Sequence, residues 1–465
     1  MRLGRIVAGS LVFLLICPAF VQAAPLPLVP ALALKWGVAG DGPCVALGTG
    51  DLRVIALSAG GTLYLTDPVS GVAQSFSVLG GVVPPLVAGA TGVFFASPSG
   101  ELYGLEERTG WLKWQVRTGQ IKAMALAGQN DPILVVVSAD GIITAIQPNT
   151  GEMRWHRSYP LAEQVEWAVA SPKEVFFCAA NGQVLALSVQ DGRVIWQRKG
   201  AGREITCQPI NVLGRLIMAG VADDQAVVEA LDGASGDVLW SRQGGKGPVW
   251  SQLVAHEGSI LGRRGNVVCS FDLFGGTLNW LARPLDEAGL VGRLQGLALG
   301  SEGLFVATKL DDENSVVLAM DRGSGAVHWA SPVPFPIRTG PLWFDDCLFY
   351  GDVSHRLLGM RQILVRVNGQ RINFSSLPPF LVANTTYVPV REVAESLGWY
   401  VGWDGKMVVA ARGSHKVQIP VWLLAGRGVA PLREVASTLQ AEVAWEGRRL
   451  IADVVEKVAQ KTGIY

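Results

Sequence analysis

A repeat of 40 to 49 residues constrains the fold of this chain more than any other feature of its sequence. The stretch from Ala230 to Trp240 has alanine, aspartate, glycine and tryptophan at its first, third, seventh and eleventh positions. The stretch from Ala319 to Trp329 has the same four residues at the same positions. A period of this length is typical of the four-stranded sheets of a β-propeller. Weaker copies of the pattern end at Trp114, Trp155, Trp196 and Trp280.

The repeat that ends at Trp196 shows how each unit divides into strands. Asn181-Gly182 and Asp191-Gly192 favour tight turns between antiparallel strands. One small sheet cannot bury both of its faces, so neighbouring sheets must stack against each other. The apolar segments that we predict as strands are residues 165–169, 175–178, 183–187 and 194–197.

Each recurrent residue type has a physical role in such a sheet. Glycine adopts the positive backbone angle of the last turn, and the aspartate four residues earlier accepts hydrogen bonds from turn amides. Tryptophan on the outer strand offers a large flat surface that packs against the next sheet. The regular spacing of the tryptophans favours this packing role over a ligand-binding role.

The number of repeats predicts an eight-bladed ring, with seven blades as the alternative. Three strand-like segments follow Trp329, within residues 337–360, and they lack a fourth strand. The segment from Ala31 to Trp36 resembles an outer strand, and its pairing with these three would close the ring and remove exposed sheet edges. We therefore predict a mainly β fold, an eight-bladed β-propeller closed by both chain ends and followed by a small α+β domain. Seven complete units are marked by Gly71, Gly110, Gly151, Gly192, Gly236, Gly276 and Gly325.

The charge balance of the chain argues against polyanionic partners. Its 39 basic and 39 acidic residues give a formal net charge of zero and a pI near 7.0. Since no broad electrostatic field results, we expect no nucleic-acid partner and no binding to an anionic membrane surface. The 49% hydrophobic content and 56 glycines suit short buried strands that are joined by tight turns.

Residues 1–23 have the features of an export signal. Arg2 and Arg5 precede an apolar run from Ile6 to Ile16, and Val21-Gln22-Ala23 supplies small residues for cleavage. The run is shorter than the roughly 20 residues of a membrane-spanning helix. We expect a monomer that is extracellular or on the cell surface, without an integral membrane segment after cleavage. Lipid attachment at Cys17 is the weaker alternative, because Ile16 is bulkier than a lipoprotein signal prefers.

The remaining cysteines are expected to be buried free thiols. Their number is odd, they lie in widely separated segments, and each adjoins an apolar run, so they do not form a disulfide framework. No pair has the spacing of metal ligands. They are Cys44, Cys178, Cys207, Cys269 and Cys347.

A second repeat begins after residue 363. Residues 389–394 (Pro-Val-Arg-Glu-Val-Ala) return 42 residues later as 431–436 (Pro-Leu-Arg-Glu-Val-Ala). We predict two helices with each proline in the first turn, and Gly398 ends the first helix. Hairpins are predicted at Asn368-Gly369 and after both helices. The tail from Val454 is predicted to be helical.

The repeats that end in tryptophan resemble the quinoprotein propeller superfamily over residues 31–360. This superfamily includes quinone-dependent alcohol dehydrogenases and non-catalytic scaffold relatives. For the dehydrogenases the resemblance implies pyrroloquinoline quinone (PQQ), calcium, an adjacent cysteine pair and a catalytic aspartate. This sequence has no adjacent cysteines and no long inserted loops. We therefore predict no catalytic, cofactor-binding or metal-binding residues.

Residues 363–454 resemble the copper amine oxidase N-terminal-like domain of exported proteins from Gram-positive bacteria. The resemblance rests on residues 367–369 (Val-Asn-Gly), Pro378-Pro379, residues 387–392 (Tyr-Val-Pro-Val-Arg-Glu) and Leu397-Gly398. Copper binding is not implied, because the copper and quinone of those oxidases belong to a different domain.

Three charged residues are candidates for ligand contact. Lys122, Glu166 and Arg338 lie near the predicted starts of inner strands, where a ring presents converging segments. The favoured alternative is that they are solvated charges at the rim. For Arg391 and Arg433 we favour structural bonds within the second repeat over ligand binding.

Other polar motifs have structural interpretations that we favour. Residues 311–314 (Asp-Asp-Glu-Asn) could offer oxygens to calcium, but a solvated hairpin loop is the preferred interpretation. Gly200-Ala201-Gly202 lacks the following helix of a phosphate loop. The scattered histidines favour surface or packing roles over metal binding. They are His156, His256, His328, His355 and His415.

These observations together predict an exported, non-catalytic binding or scaffold protein of the bacterial cell surface. Its partner would be a protein or a cell-wall polymer. The alternatives are a PQQ- and calcium-dependent oxidoreductase, and an envelope assembly factor that resembles the outer-membrane scaffold lipoproteins. The expected organisation is a signal peptide at 1–23, the propeller at 31–360, the α+β domain at 363–454 and a tail at 455–465.

Overall fold

The computed structural model describes residues 31–456, except residues 79, 129–130, 201, 302, 375–376, 425 and 448–449. The predicted signal peptide, Cys17, Ala201 and residues 457–465 lie outside this described part. Within it, residues 32–362 form eight antiparallel sheets, which we number in chain order. Apart from β1 (Leu32–Ala39), which belongs to the last sheet, the strands of each sheet follow one another along the chain.

The first four sheets each have four strands. Sheet 1 contains β2 (Cys44–Thr49), β3 (Val54–Ser58), β4 (Thr62–Thr66) and β5 (Ala73–Ser77). Sheet 2 contains β6 (Val83–Gly89), β7 (Gly92–Ala96), β8 (Glu101–Leu105) and β9 (Leu112–Arg117). Sheet 3 contains β10 (Ile121–Ala127), β11 (Ile133–Ser138), β12 (Ile142–Ile146) and β13 (Met153–Ser158). Sheet 4 contains β14 (Val165–Ala170), β15 (Glu174–Ala179), β16 (Val184–Ser188) and β17 (Val194–Arg198), which match the four strands predicted for this repeat.

The last four sheets include one with five strands. Sheet 5 contains β18 (Arg203–Ile205), β19 (Ile210–Val212), β20 (Arg215–Ala222), β21 (Gln225–Asp232) and β22 (Val238–Gln243). Sheet 6 contains β23 (Trp250–His256), β24 (Ser259–Arg264), β25 (Val267–Asp272) and β26 (Leu278–Ala282). Sheet 7 contains β27 (Arg293–Leu299), β28 (Leu304–Lys309), β29 (Ser315–Met320) and β30 (Val327–Pro332). Sheet 8 contains β31 (Leu342–Phe344), β32 (Cys347–Gly351), β33 (Arg356–Gln362) and β1.

Sheet 8 joins the two ends of this region. β1 pairs antiparallel with β33 in a register that places Leu32 opposite Gln362 and Ala39 opposite Arg356. The predicted split sheet is therefore present. The inner strands, which come first in each sheet along the chain, also contact one another from sheet to sheet, and β31 of sheet 8 contacts β2 of sheet 1.

The hydrophobic core lies between neighbouring sheets. One cluster of fully buried side chains joins Val135 and Val137 of sheet 3 to Val175 and Phe177 of sheet 4. Equivalent clusters lie between the other pairs of neighbours, because each strand has apolar residues on both faces. Burial on both faces explains why the middle strands have continuous apolar runs instead of alternating patterns.

The inner strand of sheet 5 is broken, which the repeat pattern does not predict. β18 and β19 both pair with β20, and they are separated by residues 206–209. Pro209 lies in this gap, where it lacks the N–H group that a continuous ladder requires. Two short helical elements lie between sheets, a 3₁₀ helix at Pro160–Gln164 and α1 at Pro284–Glu287.

The C-terminal region, residues 363–456, contains three small sheets and two helices. Its strands are β34 (Leu364–Val367), β35 (Gln370–Arg371), β36 (Phe380–Val382), β37 (Thr385–Pro389), β38 (Tyr400–Trp403), β39 (Val408–Arg412), β40 (His415–Ile419), β41 (Trp422–Leu424), β42 (Arg427–Pro431), β43 (Ala441–Glu446) and β44 (Ile451–Glu456). Its helices are α2 (Val390–Ser396) and α3 (Leu432–Thr438). The sheets have the strand orders β35-β34-β44-β43, β36-β37-β42-β41 and β38-β39-β40.

Two predictions for this region are wrong in detail. Pro389 and Pro431 are N-cap residues with extended backbone, not members of the first helical turn, because each ends a strand before its helix begins. Residues 454–456 continue β44, so the predicted helical tail does not begin at Val454. The turn at Asn368-Gly369 is present, with φ values of 48° and 80°, and Gly398 follows α2 at φ 77°.

Candidate functional site

The recurrent tryptophans pack between sheets, as Trp240 illustrates. Its indole nitrogen donates a hydrogen bond of 2.9 Å to the carbonyl of Leu273 in sheet 6. Its ring covers Gly276, where an added Cβ would lie 2.5 Å from Trp240 Cδ2. Gly276 has φ 65°, and the carboxylate of Asp272 accepts hydrogen bonds from the amides of the same turn. Only glycine meets both the conformational and the steric requirement at this turn.

The same contact recurs at five other boundaries between neighbouring sheets, in agreement with the predicted packing role. In sheet 8, Trp36 of β1 packs against Gly71 of sheet 1. Trp329 differs, since its ring lies tilted at 58° to that of Phe305, in a cluster shared with sheet 8. The other indole hydrogen bonds are Trp36 to Pro68 (3.1 Å), Trp114 to Pro148 (2.7 Å), Trp155 to Val189 (2.9 Å), Trp196 to Gly233 (2.8 Å) and Trp280 to Arg322 (2.9 Å).

A series of β-bulges at the starts of the inner strands forms the candidate interaction site. The register shifts by one residue after Cys44, Ile121, Val165, Trp250 and Leu294, and by two after Val83. Each bulge leaves one or two residues outside the ladder at the same point of its sheet. We call these residues, together with Arg338 before β31, the bulge ring. Its members are Val45, Pro84, Pro85, Lys122, Glu166, Ser251, Gln295 and Arg338.

All three candidates from sequence, Lys122, Glu166 and Arg338, belong to this ring, and Lys122 and Glu166 lie on the contacting strands β10 and β14. Both are exposed, as is Arg338. Lys122 Nζ donates a 2.6 Å hydrogen bond to the carbonyl of Glu163 at the entry to sheet 4. Sequence reasoning missed Val45, Ser251 and Gln295. A bulge is a shift in the register between two paired strands, so it cannot be recognised from one strand alone.

Side-chain hydrogen bonds connect neighbouring inner strands. Gln252 on β23 makes two such bonds with the backbone of Leu297 on β27, one as donor (2.9 Å) and one as acceptor (2.8 Å). Thr206 Oγ1 donates a 2.7 Å bond to the carbonyl of Trp250. These bonds connect sheet 5 to sheet 6 and sheet 6 to sheet 7, close to the bulge residues Ser251 and Gln295.

A buried charge cluster links sheets 4 and 5. Glu229 is 2% exposed and pairs with Arg198 at 2.6 Å and with Arg203. Burial lowers the pKa of both guanidinium groups. Sequence reasoning missed this cluster, although a glutamate within the apolar run of residues 226–231 is a readable signal for a buried ion pair. Its geometry indicates a connection between sheets rather than a reaction centre, since both arginines bind one carboxylate.

The C-terminal region contains a groove of about 440 Å³. Trp445, which is 38% exposed, forms one wall, and Arg433 and the polar side chains of Asn384 and Thr385 form others. Arg391 instead pairs with Glu395 on the same helix at 3.5 Å. The expected structural bond is thus present for Arg391, whereas Arg433 lines a groove.

The other polar motifs make local contacts. Asp311 accepts hydrogen bonds from Glu313 and Asn314 of its own loop between β28 and β29, in agreement with a hairpin loop. His256 contacts Arg322 at 2.7 Å, and His328 lies 3.9 Å from Asp321. In the described part of the chain, no three His, Cys, Asp or Glu side chains are grouped as metal ligands.

The five cysteines outside residue 17 are buried and free, as predicted. Burial raises the pKa of Cys178 and Cys207 to about 12. It raises the pKa of Cys44, Cys269 and Cys347 to about 11. These thiols are therefore poor nucleophiles near neutral pH.

A family model described as outer membrane protein assembly factor BamB matches residues 21–167 and 139–371. The chain belongs to this family. A second model, described as copper amine oxidase N-terminal domain, matches residues 366–422 of this BamB-family protein. The two resemblances stated from the sequence are thereby confirmed. No helix among the described residues of the BamB-family protein is long and apolar enough to cross a bilayer.

Two curated relatives match part of the BamB-family protein. Outer membrane protein assembly factor BamB from Yersinia pestis is 25% identical over 171 residues, which are 34% of this chain and 43% of the relative. Quinoprotein alcohol dehydrogenase PedH from Pseudomonas putida is 26% identical over 176 residues, which are 34% of this chain and 30% of the relative. The chain thus spans less than half the length of either relative.

Two solved structures resemble the BamB-family protein over most of its length. BamB from Moraxella catarrhalis has a TM-score of 0.54 and 17% identity, over 71% of this chain and 99% of that structure. The computationally designed Ika8 protein has a TM-score of 0.55 and 16% identity, over 72% of this chain and 100% of that structure. At such identities the likeness shows the fold alone, which is β-propeller-like.

Proposed function

We propose that this protein is an exported, non-catalytic scaffold of the bacterial cell envelope that binds a protein partner through the bulge ring. The proposal includes a closed propeller of eight blades over residues 31–360 and an α+β domain over residues 363–454. Membership of the BamB family supports an assembly-type role, since the family is described as an assembly factor.

Three observations support closure of the ring. β1 completes sheet 8 by pairing with β33, and the inner strands of sheets 1 and 8 contact each other. Trp36 adds the same tryptophan-on-glycine packing between sheets 8 and 1 that also occurs at five other boundaries between sheets. A closed ring has no free edges at its seam, which favours a soluble, rigid platform.

The observation that carries the proposal is the bulge ring itself. It presents one or two exposed or half-exposed residues from each of several neighbouring sheets, on strands that hydrogen bonds hold together. The ring mixes apolar, cationic, anionic and amide groups, as in Val45, Lys122, Glu166 and Gln295. Mixed chemistry on a rigid surface suits recognition of a protein segment.

Site-specific photocrosslinking in the native envelope tests this proposal. A crosslinking amino acid replaces Lys122 or Glu166 in the ring, and Arg154 on the exposed outer strand β13 serves as the matched control. We expect one protein to be captured from both ring positions, and Lys122→Glu to weaken its binding. Equal capture from Arg154, or no capture from either ring position, would contradict the proposal.

Binding of a cell-wall polymer through the C-terminal region is a second candidate function. The observation that favours it is the groove with Trp445, Arg433 and Asn384, which combines an exposed aromatic face with polar groups. Trp422 adds another exposed ring that stacks on Tyr387 at 4.9 Å. Sugar rings stack on such faces through their apolar sides.

Sedimentation with purified cell walls tests this second function. Trp445→Ala should reduce the bound fraction several-fold. Trp403→Ala is the matched control, because Trp403 occupies the same place in the first repeat but does not line the groove. Equal losses in the two variants would rule out a specific role for the groove.

Quinone-dependent oxidation is the alternative that the relative PedH raises. Residues 311–314, which the sequence offers as a calcium candidate, do not favour this alternative. The carboxylate of Asp311 is occupied by its own loop, and Asp312 pairs with Lys309 at 2.6 Å. Dye reduction after addition of calcium and PQQ provides the test, and saturable activity would overturn the non-catalytic proposal.

A further inference from the structure

A cavity of about 380 Å³ lies where sheet 8 meets the C-terminal region. Arg361 of β33, Arg366 of β34 and Arg371 of β35 line it, together with Asp345 and Asp346 of the turn between β31 and β32. Only Ile363 separates β33 from β34 along the chain. The cavity therefore brings together charged side chains from both sides of this junction.

Arg361 has an unsatisfied donor in this cavity. Its side chain is 7% exposed, and its Nε has no hydrogen-bond acceptor among the described residues. Its Nη2 lies 3.8 Å from Asp346 Oδ2, which exceeds a hydrogen-bond distance. Asp346 also accepts a 2.9 Å hydrogen bond from Ser301. A buried guanidinium with an unused donor is unfavourable unless another acceptor is supplied.

Lys35 adds a second unsatisfied cation beside Arg361. Its Nζ is buried and has no hydrogen-bond partner in the described part of the chain. Burial is the main cause of its lowered pKa, and the charge of Arg361 lowers that pKa further. Lys35 is the bulge residue that precedes Trp36. The corresponding residues before Trp155 and Trp196 are Arg154 and Ile195, which are exposed.

Arg366 contributes a third positive charge from the C-terminal region. It lies directly opposite Arg371 in the two-stranded ladder of β34 and β35. Asp453 of β44 lies beside Arg366 on its other side, in the parallel ladder of β34 and β44. Two features thus point to the same requirement: the unused Nε donor of Arg361 and the unused Nζ donor of Lys35 beside it.

We propose that this cavity binds a small oxyanion, such as a phosphate or carboxylate group. Arg361 and Arg366 supply the donors, since planar guanidinium groups match the oxygens of these anions. Because Arg361 belongs to sheet 8 and Arg366 to the C-terminal region, the bound anion connects the two. This site is separate from the bulge ring, and its test does not depend on the proposed partner of that ring.

Calorimetric titration of the purified full chain with inorganic phosphate, at constant ionic strength, tests the proposal. We expect saturable binding in the wild type and at least a tenfold loss of affinity in Arg366→Gln. Arg391→Gln is the matched control, because that arginine is exposed and pairs with Glu395 outside the cavity; its affinity should equal that of the wild type. Parallel titrations with acetate and sulfate show whether the cavity prefers a carboxylate or a tetrahedral oxyanion.

Thermal unfolding provides a second measurement that does not depend on heats of binding. Phosphate should raise the unfolding temperature of the wild type and of Arg391→Gln, and it should raise that of Arg366→Gln much less. Circular dichroism without phosphate establishes that Arg366→Gln is folded. The absence of saturable binding with all three anions, or equal phosphate affinity in wild type and Arg366→Gln, would overturn the proposal.

Discussion

Substitution of Gly276 by alanine tests the central packing contact of the fold. The glycine has φ 65°, and an added Cβ would lie 2.5 Å from both Cδ2 and Cε3 of Trp240. Two costs follow from this geometry. An alanine in the left-handed region costs about 1 to 2 kcal/mol, and the overlap with the indole adds about 1 to 3 kcal/mol of overpacking.

Gly289 offers a control with the same backbone conformation and no overlap. Its φ is 66°, and an added Cβ would meet no atom within 4 Å. Gly289→Ala should therefore cost only the conformational term of about 1 to 2 kcal/mol. The excess cost of Gly276→Ala over this control measures the steric contact with Trp240.

A double-mutant cycle with Trp240→Ala completes the test. Trp240 is 6% exposed, so its truncation should cost about 3 to 5 kcal/mol. Without the indole, Gly276→Ala should cost no more than Gly289→Ala, which gives a coupling of about 1 to 3 kcal/mol. Urea unfolding followed by circular dichroism yields the midpoints and slopes that these comparisons require. Equal costs for the two glycine substitutions, or an unchanged cost of Gly276→Ala without Trp240, would refute this account of the contact.

Three further predictions follow from the charge cluster, the cysteines and sheet 8. Glu229→Gln should destabilise the protein by about 3 to 5 kcal/mol in urea unfolding, because it leaves two partly buried arginines without a counter-charge; exposed Glu204→Gln should have little effect. Thiol reagents at pH 8 should label Cys178 and Cys207 only after unfolding. Since their pKa rises from 9.0 to about 12 on folding, the unfolded state releases these protons first, and stability should fall as pH increases above 9. Deletion of residues 31–39 should expose the edge of β33 and cause aggregation, measured by light scattering, whereas a protein that stays monomeric and fully folded would contradict the structural role of β1.

Local sequence signals predicted most of the sheets. The turn at Asp191-Gly192 and the apolar run before it located the strands of sheet 4, because turn chemistry and burial act over a few residues. The split sheet was also predictable, since three strands without a partner required a fourth. The broken inner strand of sheet 5 was missed, although Pro209 is a local signal for an interrupted ladder.

Contacts between distant residues could not be read from the same signals. The pairing of Glu229 with Arg198 depends on how sheets 4 and 5 face each other. The bulges depend on the register of two strands, so Ser251 and Gln295 carry no marker of their own. Lys122 and Glu166 were found because charged residues at the start of apolar strands are conspicuous.

Comparison between the repeats separates packing from recognition. The residue opposite each packing tryptophan is small, as with Gly104, Ala145, Ala186 and Ala230. An indole ring packs against each of these positions, and the space that it occupies leaves room only for a small side chain. The bulge positions lack such a neighbour, and they differ from sheet to sheet in size and charge. A ligand with the rotational symmetry of a propeller would meet a different side chain at each of these positions, so we expect the proposed partner to be asymmetric, as a folded protein or a peptide segment is.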